Sequence, residues 1–373
     1  AGCGILSGMR LWGEAPWRLG GPPIPPASPP ATAGIVVVGG GVAGLSTTWH
    51  LARRGLAPLL LEADEIGSGA SGRTGGLVLE GTAWGTLPGT ERVLDTLQEV
   101  VAAIETDCRL RLPGCDLLQH APVPAGHPPR WQDSGPALHV VGQEPGGTID
   151  PGALLSGLAR GAIAAGATLC ERTPVLAIET GRVITDCGVI SCQRIVATVN
   201  AWVSRFFSDE APCRVALTLA LATEPLALSQ LAAIDLAHGR PFYTLDRPYL
   251  WGRVLDDRRV VFGAGLVWAR DGLPEAVRLS EPPAREGLAW LEGRVRGLHP
   301  LLHDIGVSAR WGGPIAFPQR QAPLLAPAPR RDGVFLAAGC GGHGLALGVH
   351  LGRLLAAAVA DDAPLPPWGA LPR

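Results

Sequence analysis

Hydrophobic positions along the chain fall into short unbroken runs set between glycine-rich turns. The run GIVVV, Gly34 to Val38, has no polar alternation and is β-branched, which predicts a strand buried on both faces of a parallel sheet. GGGVAG follows at once, and a helical apolar stretch runs from there to Arg54. APLLLE predicts a second strand ending at Glu62, and SGLARGAIAAG, Ser156 to Gly166, a further helix. PVLAIE, GRVITD and GVISCQ are punctuated by Gly and Asp and predict a β-meander, after which RIVATVNAW, Arg194 to Trp202, returns as a buried strand. Between about 211 and 305 the texture changes to short strands and turns. The clearest is the hairpin YLWGRVLDDRRVVFGAG, Tyr249 to Gly265, turning near Asp256 to Arg258. The C-terminal part gives a strand, GVFLAA, a glycine cluster, GCGGHG, and a helix from about Leu345 to Ala360.

The chain thus begins and ends with the same unit, strand then glycine turn then helix, with a different kind of sheet between them. This predicts an α/β protein. Its discontinuous dinucleotide-binding domain is expected over 34–84, 145–210 and 306–373, and a mixed or antiparallel-sheet substrate domain over 85–144 and 211–305. Residues 1–33 hold Trp12, Trp17 and PPIPPASPP (Pro22 to Pro30), a run that proline keeps extended, and read as a strap leading into the fold.

Composition narrows the chemistry. With 47 % apolar and 17 % charged residues over 373 positions, the chain is built to bury a core. Its formal charge of −2 gives no electrostatic reason for a nucleic-acid or anionic-membrane partner. All 31 basic residues are arginine, so a mechanism that needs a lysine amine, including a pyridoxal Schiff base, is excluded. The scarcity of AT-rich codons reads as a GC-rich bacterial genome. Eight scattered cysteines lack C-x-x-C spacing and are expected as reduced thiols in a cytoplasm. No stretch reads as a membrane span or secretory leader, so a soluble protein is expected.

Gly39, Gly41 and Gly44 form G-x-G-x-x-G between a predicted strand and helix. There the first glycine allows the tight turn, the second lets backbone approach a pyrophosphate, and the third lets helix and strand pack closely. Unpaired N–H groups and the helix dipole stabilise the phosphate charge. Glu62 closes the next strand, where a carboxylate accepts hydrogen bonds from ribose hydroxyls and repels a 2′-phosphate. The small-residue path GSGASGRTGG, Gly67 to Gly76, and the second glycine turn, Gly339 to Gly344, favour the longer FAD over NAD. A second helix N-terminus aimed into the same cleft would stabilise the negative charge that a reduced flavin carries near N1 and O2. Read by itself, that turn also fits an ordinary close-packed β–α connection.

GIVVVGGGVAGLSTTWHLARRG, LLLEADEIGSGASGRTGG, LATEPL (Leu221 to Leu226) and LAAGCGGHGLAL (Leu336 to Leu347) together resemble the FAD-dependent D-amino-acid oxidase superfamily. That group includes glycine, sarcosine and γ-glutamylputrescine oxidases and related amine dehydrogenases. The resemblance implies a glutathione-reductase-like FAD domain, with the pyrophosphate on Gly39, Gly41, Val42, Ala43 and Gly44. It implies the adenosine ribose on Glu62 and Ala63, and adenine near Val175. The isoalloxazine would lie between Ala70, Ser71, Arg73, Thr74, Gly75, Gly76 and Leu77 on one side and Gly339, Gly341, Gly342, His343, Gly344 and Leu345 on the other. Thr198, Asn200 and Trp202, in a segment similar to the family's ATNAW, would pack beside it. The implied reaction is hydride transfer to flavin N5 from the carbon next to an amine, giving an imine.

The resemblance also marks departures. Where some members tether flavin through histidine or cysteine, this chain has Arg73 and a position near Gly313, so FAD is expected to be noncovalent. Cys340 in the glycine turn reads as a small packed residue or a tether. Ala346 stands where sarcosine-type oxidases place a carboxylate-binding lysine, and no lysine can promote reaction with oxygen; His343 or an arginine would have to substitute. Arg320 replaces an acidic residue. A small-molecule amine or amino acid is the expected substrate, with O2 or another electron acceptor.

On YLWGRVL, alternation places Tyr249, Trp251 and Arg253 on one face, suited to an amine that carries a carboxylate. Arg253 reads first as a surface-hairpin residue paired to Asp256 or Asp257, and second as a substrate-binding guanidinium. Tyr249, Arg253 and His343 are the candidate catalytic residues, and His343 also reads as a turn residue. His299 and His303, four apart and with no third ligand candidate, read as helix surface rather than metal site. A noncatalytic FAD-binding subunit is a second reading, motivated by the lost lysines. Another flavin reaction is a third, although no second G-x-G-x-x-G for a nicotinamide is present.

Overall fold

The computed structural model describes residues 11–17, 23–120, 130–133 and 137–371. The expected strap therefore lies partly outside the described residues, as do short stretches of the expected substrate domain.

One sheet runs in the order Leu324–Pro327, Val334–Ala338, Gly188–Ala197, Thr32–Val38, Leu59–Leu61, Thr168–Cys170. Thr32–Val38 is parallel to both of its neighbours, and Gly188–Ala197 is parallel to Val334–Ala338. The β-branched run explains this placement. Val37 faces the helices Val42–Ala52, Pro151–Ala164 and Gly344–Asp361, while Val36 and Val38 face the meander and the short helix Val203–Phe207. A strand with both faces covered has no polar positions to alternate. The meander runs Val175–Glu179, Arg182–Thr185, then Gly188–Ala197. GVISCQ and RIVA, read from the sequence as separate strands, form this one ten-residue strand. Its outer half pairs with the meander and its inner half with the parallel core.

The second sheet is ordered Val307–Pro318, Cys213–Thr223, Val260–Trp268, Leu250–Val254, Phe242–Thr244, Cys115–His120, Ala137–Glu144, Trp131–Gln132. Leu217, Leu219 and Leu221 turn to one face, against Leu288, Leu291 and Val295 of the helix Pro282–Leu298. Its other face looks toward the first domain. That 17-residue helix is not evident in the sequence pattern of 211–305, because its exposed side is rich in Arg, Glu and Gly and its apolar stripe is narrow. It ends at Leu298, so His299 and His303 do not share a helix face. His299 instead accepts the Leu301 N–H at 3.1 Å.

The sheets divide the chain differently from the expected spans in two places. Val307–Pro318 belongs to the second sheet, paired along its length with Cys213–Thr223. The helix Val93–Ala103 packs with the first domain through Val93, Leu97 and Val100. The C-terminal helix, 18 residues at mean hydropathy 1.3, is long and apolar enough to cross a membrane, but 67 % of it is buried inside the protein, as in a core helix. Sequence pattern alone sets no such segment apart, because the stretch is interrupted by glycines and Arg353. Its Gly348 and Gly352 allow a close crossing. A β-carbon at either would come within 2.6 Å of Val42 Cγ1 or 2.5 Å of Ser46 Cβ.

Candidate active site

Gly39 sits at φ +107°, left-handed backbone that reverses the chain after the first strand, and its N–H donates to Leu61 O at 2.9 Å. A β-carbon on Gly44 would lie 1.9 Å from Gly39 O and 2.6 Å from Thr198 Oγ1, so only glycine brings the helix this close. Thr198 holds the turn from the neighbouring strand, donating to Val38 O at 3.0 Å. Val42 N–H donates to Ser71 Oγ at 3.0 Å, joining the helix start to the second small-residue loop. Glu62 Oε2 accepts from Gly40 N at 2.6 Å and Oε1 from Asp64 N at 3.0 Å. Burial nevertheless pushes this carboxyl above the usual glutamate value.

The other end of the chain builds a matching turn. Gly339, Gly341 and Gly342 all have positive φ, at +71°, +60° and +96°. Gly339 N–H donates to Asn200 Oδ1 at 3.1 Å. The helix Gly344–Asp361 then starts at His343 with no side-chain cap, leaving its first-turn N–H groups without intrahelical partners. It is fixed against Val42–Ala52 by Ser46 Oγ, which donates to Val349 O at 2.8 Å. Both helix starts line one cavity of about 1610 Å3, larger than the roughly 300–1,000 Å3 of an ordinary small-molecule site.

Of the positions expected to hold a cofactor, Gly44, Gly76 and Gly339 stand behind this wall as backbone supports, and all the others line it. The donor set suits FAD: a glycine cradle, a carboxylate at the end of the second strand, and a second helix start. Arg73 is buried, donates to Ser68 O at 3.1 Å and to Gly13 O, and stacks on Trp12 with Cζ 5.6 Å from the ring. Burial lowers its guanidinium to about 10. Gly313 faces it, since a β-carbon there would touch Arg73 Cβ at 3.4 Å. The Cys340 thiol lies on the cavity wall, and burial pushes it up to about 12. Ala346 is buried on the same wall. Arg320 donates to the carbonyls of Trp368 and Ala370.

His343 and Tyr249 line the cavity; Arg253 does not. Alternation does put Arg253 on the face of Trp251, but the Gly75–Gly76 turn covers it. A β-carbon on Gly76 would sit 2.6 Å from Arg253 Nη2, and Trp17 stacks 5.7 Å from its Cζ. Arg253 is 7 % exposed, its Nε has no partner among the described residues, and burial lowers it to about 10. The expected hairpin ion pair is absent as well. Asp256 pairs with Arg109 and Arg111, at 3.0 and 2.8 Å, and Asp257 with Arg259 at 2.7 Å. Burial lowers His343 to about 4, so it is neutral at pH 7 and cannot stand in for a lysine cation.

The sequence reading missed much of the opposite wall: Trp84, Glu144, Tyr243, Arg247, Trp268 and Phe317. Glu144, Tyr243, Arg247, Trp268 and Phe317 sit on the second sheet or beside it, and only the pairing order brings them together. The roof segment 245–249 is held from behind. Arg294 Nη1 donates to Pro248 O at 2.8 Å while its Nε and Nη2 grip Asp133 at 2.9 and 2.6 Å, and His120 N–H donates to Asp246 at 2.7 Å. Among the described residues no cluster of His, Cys, Asp and Glu could hold a metal ion.

A family model described as FAD dependent oxidoreductase (DAO) matches residues 34–358. A probable oxidoreductase, OrdL, of Rhizobium meliloti is 26 % identical over 386 residues, covering 90 % of this chain and 84 % of its own. The γ-glutamylputrescine oxidoreductase of Escherichia coli is 24 % identical over 380 residues, covering 89 % and 84 %. Among solved structures, glycine oxidase from Geobacillus kaustophilus superposes with a TM-score of 0.72 at 19 % identity, over 92 % of this chain and 99 % of that one, a likeness of fold. With the match spanning both glycine turns and the sheet between them, the chain belongs to the DAO family of FAD-dependent oxidoreductases.

Proposed function

We propose that this enzyme oxidises the C–N bond of an amine or amino acid, with noncovalently held FAD as its electron acceptor and O2 or another acceptor completing the cycle. The observation that carries the reading is the cavity itself: two helix starts from opposite ends of the chain on one wall, an aromatic sheet on the other. The likeness to a γ-glutamylputrescine oxidoreductase and a glycine oxidase supports it.

Gly39 to Gly44 and the start of Val42–Ala52 would bind the pyrophosphate, Glu62 the ribose, and the Gly344 helix start the pyrimidine edge of the flavin. When bound, FAD supplies an acceptor for a hydride. The substrate C–H bond next to nitrogen breaks with its electron pair leaving as hydride, while the nitrogen lone pair forms the C=N bond. The product is the protonated imine, which water hydrolyses to a carbonyl compound and an ammonium ion. The nitrogen must be neutral to offer that lone pair, so the walls that matter are those that orient the amine and exclude bulk water. Trp251, Tyr243, Tyr249 and Ile315 do this. Neutral His343 offers a hydrogen-bonding nitrogen without placing a charge beside the reacting centre. A reducing, cytoplasmic setting is part of this reading, and the seven described cysteines are free thiols.

The test is anaerobic mixing of the yellow protein with a panel of primary amines, secondary amines and amino acids. Bleaching near 450 nm by one or more members is expected, and comparison of peroxide release with dye reduction then separates oxidase from dehydrogenase. A flavin that dithionite reduces but no member of the panel bleaches would point to a noncatalytic subunit instead.

A further inference from the structure

The cavity wall carries one carboxylate that nothing in the nucleotide-binding half explains. Glu144 ends the strand Ala137–Glu144 and lines the cavity, and the groups acting on it are its own burial, which pushes it up, and the Tyr243 hydroxyl. No arginine or histidine among the described residues offsets its charge. Other carboxylates on the wall are engaged or lie elsewhere. Glu62 and Asp64 are at the ribose end, Glu80 accepts Val93 N–H at 2.5 Å, and Glu275 accepts Trp202 Nε1 at 2.7 Å and Arg205 at 2.9 Å. A half-buried carboxylate without a cation is costly, and an ammonium group of the substrate would offset that cost.

We infer that Glu144 and Tyr243 form a cation subsite at the far end of the reaction cavity, and that the preferred substrates are diamines, oxidised at one nitrogen and held by the other. This rests on the proposed amine oxidation and names its substrate class. Two arguments separate the held nitrogen from the oxidised one. A carboxylate keeps an adjacent amine protonated, and a protonated nitrogen has no lone pair with which to form C=N. Position agrees. From the strand of Trp251, whose indole touches the flavin loop at Gly75, the sheet steps through Phe242–Thr244 and Cys115–His120 before reaching Ala137–Glu144. Three strand spacings amount to roughly 14 Å. Tyr243, paired with Trp251, bridges part of that distance and presents an aromatic face to the passing chain. Among the described residues three guanidiniums on the wall have no ion-pair partner: Arg73, buried beside Trp12 and donating to Ser68 O and Gly13 O, and the exposed Arg214 and Arg247, which stack on Trp268 and Tyr249 with Cζ 4.0 and 5.7 Å from the rings. They leave the Glu144 end to a cation.

Three ligands of equal length decide the matter: 1,6-diaminohexane, hexylamine and 6-aminohexanoate, which present an ammonium, a methyl and a carboxylate at the far end. Calorimetric titration of the FAD-loaded protein should give the diamine roughly tenfold tighter binding than hexylamine, with the amino acid weakest. Glu144→Gln should bring the diamine-to-hexylamine ratio close to one, and Tyr243→Phe should lower it in part. Equal binding of all three, no binding of any, or a preference for 6-aminohexanoate overturns the subsite. If Glu144→Gln fails to fold, the wild-type series and Tyr243→Phe still give the answer. Flavin bleaching is read separately. Selective diamine binding without bleaching refutes amine oxidation and leaves the subsite standing; bleaching without diamine preference does the reverse.

Discussion

The indole of Trp251 lies between Gly75 of the 67–76 loop and Gly263 of the next strand. A β-carbon on Gly75 would fall 2.1 Å from Trp251 Cζ3, and one on Gly263 would fall 2.0 Å from Cζ2. The ring therefore packs the second sheet directly onto the loop expected to meet the isoalloxazine. Gly75→Ala should overpack this contact, costing about 1–3 kcal/mol, and displace the loop. A lowered melting temperature with weaker FAD retention on dialysis is the expected result. Unchanged FAD affinity would mean that the contact does not position the flavin loop.

The third glycine of the first turn is the most exacting position in the cradle. Gly44→Ala would drive a methyl into Gly39 O and Thr198 Oγ1. The expected product is a protein purified with little or no yellow colour, measured as the ratio of 450 to 280 nm absorbance. Gly34→Ala, with no atom near its would-be β-carbon, is the control and should retain full flavin.

Arg73 and Gly313, the positions where a flavin tether is expected to be missing, face each other, and the Cys340 thiol is pushed up to about 12 by burial, far from the thiolate that adds to a flavin ring. Precipitation with trichloroacetic acid should release all flavin into the supernatant. A yellow pellet that survives washing would show a covalent bond, and Cys340→Ser would then identify its source.

Acid should loosen the roof of the cavity. Burial works against the Asp133 charge, but Arg294 and His120 outweigh it and hold the group below the usual 3.8. In that range the unfolded chain binds more protons than the folded one, so stability rises with pH. The contribution is complete above the ordinary aspartate range and drains as pH falls through it toward the lower folded value. Urea unfolding should show this loss in the wild type. Asp133→Asn, which leaves Arg294 buried without its partner, should cost about 3–5 kcal/mol at neutral pH and flatten the acid limb. An acid limb as steep as in the wild type would refute the assignment.

His343 is lowered to about 4, so it stays neutral from pH 5 to pH 8. The rate of anaerobic flavin reduction should then carry no inflection from this residue, and His343→Gln should alter its magnitude but not the shape of its pH profile across that interval. Loss of an inflection near pH 6.5 in the variant would show that the imidazole titrates there after all.

The nucleotide-binding half could be read from the chain because its determinants are local. A buried strand, a glycine turn and a helix lie within about two dozen residues, and Glu62 ends the adjoining strand, so residue type and spacing already specify backbone shape and charge. The cap of Pro151–Ala164 is local too: the Asp150 carboxylate accepts Ala153 N–H at 3.0 Å, with Pro151 at the first helical position. Alternation likewise placed Tyr249, Trp251 and Arg253 on one face. What covers that face is a separate matter, decided by long-range packing: the Gly76 turn and Trp17 close over Arg253 and leave Tyr249 open. The same holds for Glu144 and Tyr243, about a hundred positions apart, which meet because Phe242–Thr244 joins the sheet parallel to Cys115–His120. Strand period tells which way a side chain points; only the order in which distant strands pair tells what it meets.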